Sequence, residues 1–89
     1  MRKDAEKTEG SDLLVRLNKN YKTLSKGQKQ LAAYITENYD RAAFITASKM
    51  GRIVGVSEST VVRFAYALGY DGYPELQKSL QELIRNKLT

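Results

Sequence analysis

The chain contains no cysteine and no histidine. Without cysteine there is no disulfide framework, no thiol nucleophile and no thiolate metal site. Without histidine there is no Ser-His-Asp triad, no imidazole base working near neutrality and no zinc site of the usual ligand types. Tryptophan is missing too, and proline occurs once, at Pro74. No purely apolar run approaches the roughly 20 residues that span a bilayer, and the N-terminus lacks the apolar stretch of a secretory leader. The expectation is a protein of the reducing cytoplasm, off the membrane, with no cofactor.

What is present is a small basic chain. Its 89 residues suit one domain with one hydrophobic core. That is too short for the large folds that seat a nucleotide beside a substrate pocket. Fifteen Lys and Arg against ten Asp and Glu leave a net charge of +5, with a pI near 9.6. A binding module for a polyanion is the first reading. Asp71 and Glu75 are the nearest carboxylate pair, but they sit at a helix start, where the dipole accounts for acids without catalysis. No enzyme activity is expected.

Hydrophobic spacing is helical almost throughout, and no segment reads as a strand. The expected fold is an all-α, compact multi-helix bundle. Residues 1–10 mix both charge signs and carry almost nothing apolar, so they read as a disordered arm; the mixed signs argue against insertion into a DNA minor groove. Residues 11–89 form the domain. Ser11 is read as the cap of a first helix carrying Leu13, Leu14 and Leu17. Ser25 followed by Gln28 spells a capping box, ahead of Leu31 and Ile35 at spacing four. Ala42, Ala43 and Phe44 read as a short helical plug in the core. Pro74 starts a last helix whose stripe is Leu76, Leu80, Leu83, Ile84 and Leu88. Its first half is expected on the core, and the part from Leu83 in association or linker contact; two heptads are too few for a strong coiled coil.

The informative stretch runs from Thr46 to Gly69. Two helices of about eight and eleven residues are joined by Gly55-Val56-Ser57, the length and turn chemistry of a helix-turn-helix. Gly51 is small where the two helices approach. Gly55 supplies a positive φ, Val56 tucks inward, and Ser57 caps the second helix. Met50, Val54, Val61, Phe64 and Leu68 face the core, and Gly69 stops the helix. Ser59, Thr60, Val62, Arg63 and Tyr66 are left outside or at the rim.

That outer face suits double-stranded DNA. Ser57, Ser59 and Thr60 are short hydroxyl residues that allow close approach to bases or phosphate. Arg63, one turn on, reaches guanine or a phosphate, and Val62 meets a thymine methyl. Thr46 aims the first helix's backbone N–H groups at a phosphate, and Lys49 and Arg52 neutralise backbone charge. Each has a plain rival: Arg63 as a solvated charge or a partner of Glu58, Lys49 and Arg52 as solubilising charges, Tyr66 as rim packing. Tyr70 and Tyr73 read as core staples. Between Leu13 and Thr36 there is no acid, while Arg16, Lys19, Lys22, Lys26 and Lys29 are present; this is either a flank for the DNA backbone or an exposed basic face.

The sequence resembles the N-terminal DNA-binding domain of the RpiR family of bacterial transcriptional regulators. The match lies in Leu24-Ser25 with Gln28, Ala33-Tyr34-Ile35, Ala43 through Ser48, Gly55 through Phe64, Leu68 through Tyr73, and Glu75-Leu76. It covers about Leu13 to Leu83. The resemblance implies a homo-oligomer acting on inverted-repeat operators, and control of sugar or amino-sugar metabolism genes. It also implies a phosphosugar effector held by a sugar-isomerase-like domain absent from this chain, so that the chain is a fragment of a longer regulator. Met50-Gly51 departs from the family's more frequent Leu-Ala; glycine inside a helix costs about 1 kcal/mol relative to alanine, which predicts a less rigid helix. The alternative reading is a helical protein-interaction or dimerisation module without specific DNA binding.

Overall fold

Local signals in the sequence place most of the helix boundaries. A computed structural model describes residues 3–88, with side chains from Asp12 to Asn86. The helices are α1 (Lys3–Asn20), α2 (Lys26–Glu37), α3 (Tyr39–Ala42), α4 (Ala47–Val54), α5 (Glu58–Ala67) and α6 (Tyr73–Leu88). A single 3-10 turn, Tyr21–Thr23, joins α1 to α2. No strand occurs among the described residues, as the helical periodicity predicts.

α2 starts where expected. The Gln28 N–H donates to Ser25 Oγ at 3.2 Å, and the Ser25 N–H donates to Gln28 Oε1 at 3.0 Å. The two bonds satisfy orphan donors reciprocally. α1 starts earlier than expected. It runs back to Lys3, so Ser11 lies within the helix and not at its start. The boundary between an irregular arm and the domain is therefore not a boundary of secondary structure. Residues 3–10 contain no proline, and Ala5, Glu6 and Lys7 are good helix formers. The part of the arm reading that falls on residues 1 and 2 lies outside the described residues.

The core collects one stripe from each helix. Leu13 and Leu17 of α1, Leu31 and Ile35 of α2, Met50 of α4, Val61 and Phe64 of α5, and Leu76 and Leu80 of α6 are all buried. Phe64 and Leu31 are fully sealed; each such side chain contributes roughly 1.5–3 kcal/mol through area removed from water. α1 packs along α6, α4 against α5, and α5 against both α2 and α6. The helix-turn-helix is thus seated in a cradle made by α1, α2 and α6.

α6 also holds the connection between α3 and α4. The Tyr73 hydroxyl donates to the Ile45 carbonyl at 2.7 Å, and Gln77 Nε2 donates to the same oxygen at 2.9 Å. Gln81 Nε2 donates to the Ala43 carbonyl at 3.0 Å. Positions 73, 77 and 81 share one helix face, so one row of donors serves loop carbonyls that no helix ladder satisfies. Ala42 and Ala43 are buried, as expected of a plug, but Phe44 is 68% exposed. It sits between the two pinned carbonyls and turns to solvent, which corrects its assignment to the core.

Tyr70 and Tyr73 are the core staples that the sequence suggests. The Tyr70 hydroxyl donates to Ser79 Oγ at 2.9 Å, and burial raises its pKa. Burial, with the neighbouring Tyr34, pushes the Tyr73 phenol up to about 12. Its proton is therefore held more tightly in the folded state than in the unfolded chain. The resulting stabilisation is present below pH 10 and is lost as the pH rises toward 12. We expect denaturant melts of the wild type to lose stability across that window. Tyr73→Phe should cost about 1 kcal/mol at pH 7, because Ile45 keeps Gln77 as a partner, and should weaken the alkaline dependence.

Candidate nucleic-acid interface

α4 begins at Thr46, whose Oγ1 accepts from the Lys49 N–H at 3.0 Å. It ends at Gly55, which has φ +93°. The N–H groups of Gly55 and Val56 both donate to the Gly51 carbonyl, at 2.7 and 2.8 Å. The chain folds tightly back over Gly51. A Cβ there would stand 2.7 Å from the Val56 carbonyl oxygen, closer than real Cβ contacts allow. Gly51, a weakness of the helix by propensity alone, is the surface on which the turn lies. Val56 is half-buried and packs against the core. It also faces Gly27 of α2, where an added Cβ would meet Val56 Cγ1 at 3.2 Å and Thr60 Cγ2 at 3.7 Å.

α5 begins at Ser57. Its Oγ accepts from the Thr60 N–H at 3.1 Å, and it also shares hydrogen bonds with Ser59 Oγ at 3.1 Å and Thr60 Oγ1 at 2.9 Å. Three hydroxyls therefore cluster at the helix N-terminus, where the dipole favours negative charge. Glu58, Ser59, Val62 and Arg63 line one shallow open depression at this tip. Ser59 and Arg63 are exposed, while Thr60 and Val62 are half-buried. Val62 rests partly on the core, so it presents less surface than the sequence suggests.

The remaining candidate residues lie on α4 and toward the far end of α5. Lys49 is exposed and lies in a separate depression with Arg41, Phe44 and Ile53. Arg52 is exposed and donates to Ser48 Oγ at 3.3 Å. Tyr66 is 57% exposed and shares a groove with Val15 and Lys19 of α1. That position, half open and beside α1, is compatible with rim packing as well as with a contact to DNA.

The structure also brings in residues that helix-turn-helix spacing does not suggest. Lys19 lines the groove at the far end of α5 from α1, and the Gly27 contact brings the first turn of α2, which carries the exposed Lys26, against Val56 and Thr60. The acid-free run from Leu13 to Thr36 is the signal for them in the sequence, although spacing alone does not orient it. Among the described residues, the only ion pair is Asp12–Arg16. Lys19, Lys22, Lys26, Lys49, Arg52 and Arg63 carry their charge without a carboxylate partner, and Arg63 is not tied to Glu58. Asp71 and Glu75 have a local role, as the Asp71 N–H donates to Glu75 Oε1 at 3.0 Å.

The chain matches the family described as helix-turn-helix domain, rpiR family, over residues 11–87. It is 35% identical over 74 residues to the uncharacterized HTH-type transcriptional regulator YfhH of Escherichia coli, covering 83% of this chain and 26% of that protein. It is 31% identical over 71 residues to the HTH-type transcriptional regulator HexR of Pseudomonas aeruginosa, covering 80% of this chain and 25% of that protein. An uncharacterized HTH-type transcriptional regulator of Clostridium perfringens is 32% identical over 63 residues, covering 71% of this chain and 23% of that protein. The chain thus spans about a quarter of the length of these relatives. No solved structure matches.

The turn can be tested apart from any ligand. No heavy atom lies within 4 Å of a Cβ built on Gly55, so a methyl group fits and only its φ of +93° opposes substitution. Gly55→Ala should cost about 1–2 kcal/mol of unfolding free energy, and Gly55→Asn less, because asparagine tolerates this region better. Urea melts of the three proteins check the order.

Proposed function

Because the chain belongs to the rpiR family of helix-turn-helix domains, whose relatives here are transcriptional regulators, we propose that it binds double-stranded DNA with α5 in the major groove. The observation that carries this reading is the tip of α5. A hydroxyl cluster of Ser57, Ser59 and Thr60 stands beside an exposed, unpaired Arg63. Short hydroxyl side chains let a helix approach base edges closely, and a guanidinium can bond a guanine in bidentate fashion. Val62 offers its methyls at the edge of the same depression, and Tyr66 extends the face toward α1.

Phosphates are held around this tip. The capped N-terminus of α4 at Thr46 offers backbone N–H groups, and Lys49 and Arg52 add charge along the same helix. Lys26 belongs to the end of α2 that meets the start of α5 through Gly27, and Lys19 lines the groove at the far end of α5. Glu58 belongs to the first turn of α5, where an acid complements the helix dipole. The family resemblance extends the proposal to the longer regulator. It acts as a homo-oligomer on an inverted repeat, with half-sites about 34–36 Å apart, and a region outside this chain binds a phosphosugar that tunes control of sugar-metabolism genes.

The test is selection of duplexes from a random library by this chain, followed by titration of the selected duplex and a scrambled one. Arg63→Ala should lose about 1–3 kcal/mol on the selected duplex and little on the scrambled one. Lys26→Ala should weaken both alike and reduce the slope of log affinity against log salt by about 0.9 for each phosphate no longer neutralised. Failure to enrich any duplex at low salt would overturn the reading in favour of a protein-interaction module.

A further inference from the structure

Arg16 departs from the basic run to which it belongs. Its Nε donates to Asp12 Oδ2 at 2.8 Å, and its Nη1 donates to the Leu68 carbonyl at 3.0 Å. The guanidinium carbon lies 4.2 Å from the centroid of the Tyr70 ring. Leu68 is the C-cap of α5, so the accepted oxygen is one that the helix cannot satisfy internally. Gly69 follows with φ +90°, and a Cβ there would stand 2.9 Å from Arg16 Nη1. The glycine leaves room for the guanidinium. The Tyr70 hydroxyl bonds Ser79 of α6 at 2.9 Å and lies 3.4 Å from Asp12 Oδ2. One side chain on α1 therefore meets the end of α5 and a tyrosine fastened to α6.

We propose that Arg16 is a positioning residue for DNA recognition, fixing the end of α5 from α1 rather than contacting the phosphate backbone. This rests on the reading of α5 as the groove-reading helix. The N-terminus of α5 is fixed by Ser57 and the turn, and its inner face by Val61 and Phe64. The far end is held by a charge-assisted bond to a backbone carbonyl, favoured further by the dipole's negative end. Only a planar fork can bond Asp12 and Leu68 together while stacking on Tyr70, so lysine is not an equivalent.

Two variants of the 89-residue chain separate this role from a phosphate contact. The probes are a duplex selected by the wild type and a scrambled duplex of equal length and composition. Arg16→Lys keeps the charge and Arg16→Gln removes it. Both should lower the preference for the selected duplex roughly tenfold, with wild-type affinity for the scrambled one and an unchanged salt slope. Full rescue by lysine, or a slope lowered by glutamine alone, would make Arg16 a phosphate contact and overturn the proposal. Amide exchange of the free protein supplies an arm independent of DNA. Both variants should speed exchange at Leu68 to Tyr70 about tenfold, while Leu31 to Ile35 keep the wild-type rate. Uniform acceleration, or none, would overturn it. If the wild type selects no duplex, the DNA reading falls, and exchange alone decides whether Arg16 holds the end of α5.

Discussion

The relation between α4 and α5 depends on the left-handed turn at Gly55 lying flat on Gly51. One carbonyl, that of Gly51, receives both turn N–H groups. The same glycine lets the Val56 carbonyl approach to a distance no side chain would permit. These features fix the path of three residues, and with it the placement of the Ser57 cap. Once Ser57 is placed, the apolar positions of α5 fall on the core and its hydroxyls and Arg63 fall outside. A different turn would rotate α5 and exchange those faces, since helix periodicity carries a rotation at the first turn through the whole element.

The rest of the fold braces that hairpin from several sides. α2 approaches through Gly27, which has no side chain to hold Val56 and Thr60 away. α6 holds the entry to α4 through the Tyr73, Gln77 and Gln81 donors. α1 holds the exit of α5 through Arg16. The first two braces depend on small size and neutral hydrogen bonds, the third on a charge. The second and third act at a loop and a helix end, where backbone carbonyls lack partners and a side chain adds most.

Features governed by neighbours in sequence are legible without coordinates. The Ser25–Gln28 capping box, the Thr46 and Ser57 caps, the Gly55 and Gly69 stops and the buried stripes need only local rules. The helix-turn-helix follows from them, as does the outward face of α5. What the sequence hides involves partners far apart in the chain. Nothing near Arg16 announces that its guanidinium meets Leu68, 52 positions away. Gln77 and Gln81 resemble ordinary surface residues until loop carbonyls are set opposite them. Phe44 carries every mark of a core residue, yet its neighbours' carbonyls are pinned and it turns outward. Ser11 looks like a cap, but a capping residue can equally sit inside a helix when the residues before it favour one.

Ion pairing has little part in holding the described residues together, with Asp12–Arg16 the single example. Apart from Arg16, whose charge braces the end of α5, scaffold and surface are electrically separate. Mobile counterions reach the exposed lysines readily, while the Tyr73, Gln77 and Gln81 donors carry no charge to screen. A rise in electrolyte should therefore mask the outer charge while leaving the frame nearly as firm as before. Affinity for an anion and resistance to unfolding become properties that can drift apart, one set by the medium and the other by the packing.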